Sequence, residues 1–251
     1  MPKHTFYLPP AAWTEPYTLP PQEARHLVQA LRLSTGEKIR VLDGEGRVGI
    51  FTVATVHKQH VTLQPESEIH VPRQPAQAIM ALAWSKAVRR GFFMEKAVEL
   101  GVHSIWLWNA DHSQGRMPAE VKEAWFGQMV AGAKQCENPW VPHVETLSGG
   151  VDQLIAHTAT VDRRILLLEH QNGIPMLSAR EAGQQGTTVY VIGPEGGFSA
   201  RELAALPRGG FQAASLGKRI LRCETAAMLC LGIHWWASQQ PEIIAETHDY
   251  T

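Results

Sequence analysis

The spacing of apolar positions changes several times along the chain, and each change marks an element. Ala24, Leu27, Val28 and Leu31 recur at helical spacing after Pro20-Pro21, so a short amphipathic helix with one buried stripe is expected there. Lys38 to Leu42 and Val48 to Val56 are rich in β-branched residues and flank Asp43-Gly44-Glu45-Gly46, which predicts two strands joined by a turn. Val61 and Leu63 add a further strand, and a small β-barrel accommodates the set. Val71-Pro72-Arg73-Gln74-Pro75 carries two prolines and no hydrophobic period, so a boundary is expected between a domain of residues 1–72 and one of residues 73–251.

Beyond that boundary strand and helix patterns alternate. Ala78 to Trp84 is a nearly unbroken apolar run, as expected of a parallel strand covered on both faces. A helix follows near Phe92 to Leu100, ended by Gly101, then a strand at Ser104 to Trp108 and a helix around Ala119 to Gln135. Ile165 to Leu168, Val189 to Ile192 and Ala213 to Leu216 read as buried strands, and Glu224 to Ser238 as a final buried helix. The order argues for an α/β fold, an open parallel sheet with helices on both faces.

Composition narrows the function classes. A chain of 251 residues with 44% apolar residues can bury a sizeable core, which excludes wholesale disorder. The 23 Lys and Arg nearly cancel the 24 Asp and Glu, so nucleic acid would have to be bound by local patches. The longest apolar stretch, Ala226 to Ala237, is far short of a membrane span and contains His234, so no membrane partner is expected. The start Met1-Pro2-Lys3-His4-Thr5 lacks a secretory apolar core, and Cys136, Cys223 and Cys230 form no disulfide framework, which favours a cytoplasmic setting. With no CxxC pair and no ligand spacing among the 12 histidines, no metal site is expected; His103, His112, His143 and His157 read as surface or satisfied core residues.

Two loops carry the candidate chemistry. Gly193-Pro194-Glu195-Gly196-Gly197-Phe198-Ser199 directly follows a strand, and Ser199 with Glu202 forms a capping box for the next helix. In open α/β sheets ligands bind at that strand end, where glycines let backbone amides come close. Leu216-Gly217-Lys218-Arg219-Ile220-Leu221-Arg222-Cys223-Glu224 follows the next strand, with Glu224 where a helix dipole favours an acid. As loops of neighbouring strand ends the two would form one cleft, suited to an adenosine-like ligand with cations left for a polyanion. Lys86, Arg89, Arg90 and Lys96 make a local basic face plausible. By contrast, Gly44-Glu45-Gly46-Arg47-Val48-Gly49 has the letters of a dinucleotide loop but is followed by β-branched residues, so it reads as a hairpin turn. P-loop and nucleophile-elbow motifs are absent.

The pair GPEGGFS (Gly193 to Ser199) and SLGKRILRCETA (Ser215 to Ala226) resembles the signature of the RsmE-type 16S ribosomal RNA uridine N3-methyltransferases of the SPOUT superfamily. Phe92 to Gly101 and His26 to Leu33 resemble two further helices of that family. The resemblance implies a PUA-like N-terminal barrel that helps hold RNA, a SPOUT α/β domain with a deep trefoil knot, a homodimer, and S-adenosylmethionine as cofactor. Cys223 stands where a Thr is common, Gln135-Cys136-Glu137-Asn138 replaces a more usual Gln-Ser-Gly-Arg, and Gly91 takes an often acidic position.

On this resemblance the expected cofactor residues are Leu168, Glu169, Gly193, Pro194, Gly196, Gly197, Leu216, Gly217, Ile220 and Leu221. Arg222, Glu224 and Glu195 are the catalytic candidates, and His26, Arg32, Lys86, Arg89 and Arg219 the candidates for RNA contact, with 16S rRNA inside the 30S subunit as partner. The competing expectations are a SPOUT enzyme acting on a ribose 2′-OH or another base, a non-catalytic rRNA-binding assembly factor, and an adenine-nucleotide enzyme on an ordinary doubly wound sheet.

Overall fold

A computed structural model describes residues 2–58, 60–85, 90–169 and 173–240. The chain divides into two compact units: the stretch up to Arg73 together with Gly127–Val141, and Gln74–Phe126 together with the chain from Pro142 onward. That Gly127–Val141 returns to the first unit is a feature the hydrophobic pattern did not contain.

The first unit holds strands β1 (Thr5–Tyr7), β2 (Tyr17–Thr18), β3 (Lys38–Leu42), β4 (Arg47–His57) and β5 (His60–His70), and helix α1 (Pro21–Arg25). Helix α1 runs on into a wider helical turn, His26–Leu31, which Arg32 ends in the left-handed region. Strands β3 and β4 pair antiparallel across the expected hairpin, where the buried Asp43 carboxylate accepts from the Glu45 and Arg47 amides at 2.7 and 2.9 Å. The expected closed barrel is corrected to an open sheet of order β1-β3-β4-β5-β2. Strand β2 spans only two residues, and among the described residues no ladder joins it to β1, so the sheet wraps a core of Phe6, Leu27, Ile39, Phe51 and Val61 without closing.

Glu137 of this unit adopts φ +59° and ion-pairs with Arg40 at 2.5 Å. A non-glycine residue held in that region costs about 1 kcal/mol.

The second unit is built on six parallel strands in the order β11-β9-β10-β6-β7-β8. Strands β6 (Ala76–Ala83), β7 (Ser104–Trp108), β9 (Arg163–Leu168), β10 (Gly186–Ile192) and β11 (Gln212–Ser215) fall on the predicted apolar runs, whereas β8 (His143–Leu147) has no such run. Helices α2 (Arg90–Glu99), α4 (Gly150–His157), α5 (Ala179–Ala182), α6 (Ala200–Arg208) and α7 (Cys223–Ser238) accompany them, and α3 (Glu123–Cys136) starts in this unit and from Gly127 on belongs to the first. Helix α3 begins four residues later than Ala119, because Ala119 to Lys122 is irregular.

Alternation along β6 decides which side chain meets which layer. Ile79, Ala81 and Ala83 pack in one core with Val151 and Leu154 of α4 and Leu206 of α6. Met80 and Leu82, on the opposite face, are equally buried, and α7 packs against β6. Both faces are therefore covered, which is why the run Ala78 to Trp84 is apolar throughout.

Candidate active site

Because the strands are parallel and in register, Leu168, Ile192 and Ser215 end at one edge of the sheet. Strands β10 and β11, expected to be neighbours, are separated by β9, which places Leu168 and the exposed Glu169 between the two motif loops. The loops nevertheless meet. Cys223, the first residue of α7, donates its thiol proton to the Gly193 carbonyl at 3.2 Å. Burial first, and then the charges of Glu195 and Glu224, push the Cys223 thiol up to about 11, so it stays protonated and remains a donor at neutral pH.

The glycine turn is held from every side. Gly197 lies at φ +73° and donates its N–H to the Pro194 carbonyl at 2.9 Å, closing the turn. At Gly193 a Cβ would sit 2.8 Å from the Phe198 ring, so the position accepts only glycine without a shift. That ring stacks on Trp108 at 6.1 Å, and Trp108 Nε1 donates to the Ile192 carbonyl at 3.4 Å. The predicted capping box is present: Ser199 Oγ accepts from the Glu202 amide and Glu202 accepts from the Ser199 amide. Buried Glu202 also accepts the Asp111 amide at 2.8 Å.

The turn that follows β7 supplies the remaining contacts. Asp111 accepts from Ser199 Oγ at 2.6 Å and from Arg201 Nη2 at 2.8 Å. Arg201 and then Ser199 hold the Asp111 carboxyl down at about 2. Next to it, His112 Nδ1 lies 3.2 Å from the Gly196 carbonyl and 3.1 Å from that of Gly197. Carbonyls only accept, so Nδ1 carries a proton and donates to both. His112 is exposed, in keeping with the reading of it as a surface or satisfied core residue, and its ring is also bonded to the turn.

The second loop is differently made. Ser215 Oγ accepts the Gly217 amide at 3.2 Å, and Leu216, Gly217 and Leu221 are half-buried. Lys218, Arg219 and Arg222 are exposed, and Ile220 is 78% exposed. Arg222 precedes the first turn of α7 and Glu224 lies within that turn. The structure thus gathers Leu168, Glu169, the turn from Gly193 to Gly197, the loop from Leu216 to Leu221, Arg222 and Glu224 at one sheet edge. Lys86 and Arg89 lie outside the described residues, and His26 and Arg32 are exposed in the first unit. Among the described residues no group of three metal-ligating side chains is assembled, and no helix is long and apolar enough to cross a membrane.

Sequence reasoning missed Asp111, His112 and the tether role of Cys223. The first two are a polar pair after a strand, a weak signal. Cys223 sits inside the motif, where a hydrogen-bonding residue beside Glu224 could have been read.

Comparison with known proteins extends the picture. A family model for the RNA methyltransferase PUA domain matches residues 19–66. Ribosomal RNA small subunit methyltransferase E of Synechocystis sp. is 28% identical over 85% of this chain and 71% of its own length. A methyltransferase from Legionella pneumophila, solved in complex with the bound cofactor SAM, matches with a TM-score of 0.81 at 26% identity, over 94% of this chain and 98% of that one. Ribosomal RNA small subunit methyltransferase E from Neisseria gonorrhoeae, bound to S-adenosyl methionine, matches at 0.80 and 26%, over 95% and 97% of the two chains. The model of the RNA methyltransferase domain matches residues 72–235, a span that holds the whole sheet edge just described, and the chain belongs to that RNA methyltransferase family.

Proposed function

We propose that this protein transfers a methyl group from S-adenosylmethionine to N3 of a uridine in 16S ribosomal RNA. The observation that carries the reading is the Cys223 to Gly193 hydrogen bond, which seats Arg222 and Glu224 beside the glycine turn of a methyltransferase fold. The residues fit the cofactor. Gly193, Pro194, Gly196, Gly197 and Gly217 would line the cofactor, with N–H groups of the glycine turn left to bond its acceptors, and Leu168, Leu216, Ile220 and Leu221 would wall its adenosine and methionine parts, with Glu169 at the rim. The bound cofactor supplies an electrophilic methyl on a sulfonium.

The protein's share is alignment and proton handling. Uridine N3 is a poor nucleophile until it loses its proton, and the Arg222 guanidinium would stabilise the negative charge that then develops. Glu224 would orient Arg222, and Glu195, exposed on the turn, is the candidate to receive the proton. With the cofactor bound, its methyl would pass to N3 and the carbon–sulfur electron pair would remain with its sulfur, while Arg222 would hold the charge and Glu195 the proton at the uridine. Cys223 is a poor choice of base, since its raised pKa keeps it a donor.

N3 lies on the Watson–Crick edge, so the base must be unpaired or flipped. Arg219 beside the site, Lys86, Arg89, and His26 and Arg32 of the PUA-like unit are proposed to contact the RNA, within the 30S subunit and in the cytoplasm. A homodimer is part of the proposal, supported by the exposed Leu229, Trp235 and Trp236 of α7. So is the trefoil knot, supported by the strand order that brings β10 back between β9 and β6.

The test is incubation of the purified protein with S-adenosylmethionine and either naked 16S rRNA or 30S subunits, followed by mass mapping of the modified nucleoside. N3-methyluridine is expected. A ribose 2′-O-methyl or another methylated base would replace the substrate assignment, and absence of both methylation and cofactor binding would favour an assembly factor.

A further inference from the structure

We infer that His112 is a positioning residue that holds the glycine turn in its ligand-binding shape through the paired hydrogen bonds from Nδ1 to the Gly196 and Gly197 carbonyls. The inference rests on the reading of Gly193 to Gly197 as the cofactor-binding turn and assigns one side chain as its clamp.

The geometry carries the assignment. Four carbonyls of the turn are engaged inside the protein: Gly193 by the Cys223 thiol, Pro194 by the Gly197 amide, and Gly196 and Gly197 by His112. Cys223 and the Gly197 amide fix only the first half. The second half contains the two glycines, where the backbone has its greatest conformational freedom, and of its two carbonyls both go to His112. Around Gly197 no heavy atom lies within 4 Å of an added Cβ, so packing does not restrain that residue. At Gly196 the nearest atom to an added Cβ is the His112 Cβ, at 3.1 Å. His112 in turn follows Asp111, which is anchored to Ser199 and Arg201, so the clamp stands on a fixed base. With those carbonyls engaged, the turn has chiefly N–H groups left for a ligand acceptor.

His112 touches neither reacting atom in this assignment, so its loss should read in cofactor binding more than in chemistry. His112→Ala is expected to weaken S-adenosylmethionine binding roughly five- to tenfold in calorimetry, the share of one net hydrogen bond. KM for the cofactor should rise by the same factor, with kcat at saturation changing less than twofold. His112→Asn places an amide N–H where Nδ1 stands and should restore most of the affinity. His112→Gln, one methylene longer, should not. Amide hydrogen exchange in the cofactor-free protein supplies an independent readout: residues 193–199 should exchange faster in His112→Ala and return towards wild type in His112→Asn. If exchange there is unchanged, or Asn is no better than Ala, the clamp is refuted even when wild type binds the cofactor. A wild-type protein that binds no S-adenosylmethionine, but shows the exchange pattern, would refute the cofactor reading of the turn and leave the clamp standing.

Discussion

The two loops at the sheet edge are built on opposite principles. From Gly193 to Ser199 the chain is tied to Cys223, His112, Asp111 and Glu202, and its Phe198 ring stacks on Trp108. From Leu216 to Arg222 the chain is held by the local Ser215–Gly217 bonds at one end and by the first turn of α7, where Arg222 accepts the Ala226 amide, at the other, while Ile220, Lys218, Arg219 and Arg222 stand exposed. A site that binds a small ligand through main-chain groups gains from a turn already in place, since ordering it on binding would cost affinity. A loop carrying cations and an exposed isoleucine gains those contacts only when something covers it. On the proposed function, the first loop would be the preformed part of the cofactor site and the second would complete its wall and carry Arg222 towards the RNA.

The largest effect should come from the less anchored loop. Arg222→Ala is expected to lower kcat by about a hundredfold or more in single-turnover methylation of rRNA, while cofactor affinity moves by under threefold. An equal loss of both would mean that the two loops share one task.

Next is the scaffold beneath both loops. Burial of His234 on α7, where Nδ1 lies 3.0 Å from Tyr190 Oη, holds its pKa down at about 4 against an ordinary 6.5. Between those values the unfolded chain takes up a proton that the folded protein refuses. The contribution is complete above pH 6.5 and is lost as pH falls through about 4, a decrease of roughly 3 kcal/mol. Asp111, held at about 2, keeps its charge through that window; its own contribution is lost only as pH falls from 3.8 towards about 2. Urea unfolding at pH 7 and 4.5 should show the loss in wild type and a flatter dependence in His234→Gln. Equal slopes would show that α7 is not the acid-sensitive element.

Gly193→Ala comes third. It forces a Cβ against the Phe198 ring and should lower stability by about 1–3 kcal/mol and loosen the tied turn, measured as a fall in Tm together with weaker cofactor binding. Ile220→Ser, the mirror experiment on the open loop, should change stability by less than about 0.5 kcal/mol, because the side chain is already 78% exposed. A large fall in Tm there would erase the contrast between the loops.

How far the sequence revealed this depends on how local each feature is. Buried parallel strands show as apolar runs, so β6, β7, β9 and β10 were legible, and the Ser199–Glu202 cap was readable because its partners lie three residues apart. Strand β8, His143–Leu147, has only two apolar residues, Val144 and Leu147, with two polar ones between them, so neither an apolar run nor an alternation stands out. Closure of the N-terminal sheet was expected wrongly because pairing between β1 and β2 depends on strand length and curvature, which no local pattern carries. His112 and Asp111 reach the glycine turn across more than 80 residues, and nothing near them in the chain announces it.

By itself the sequence determined the alternation of strands and helices, the two motif loops and the absence of P-loop chemistry, since these follow from side-chain period and backbone freedom within a few residues. Only the tertiary structure decided that β9 separates the two motif strands, that the Cys223 thiol nevertheless joins their loops, and that a histidine far upstream donates to the glycine carbonyls. The physical reason is that hydrogen bonds and packing act over a few ångströms in space, and which distant residues come that close is set by sheet order rather than by position along the chain.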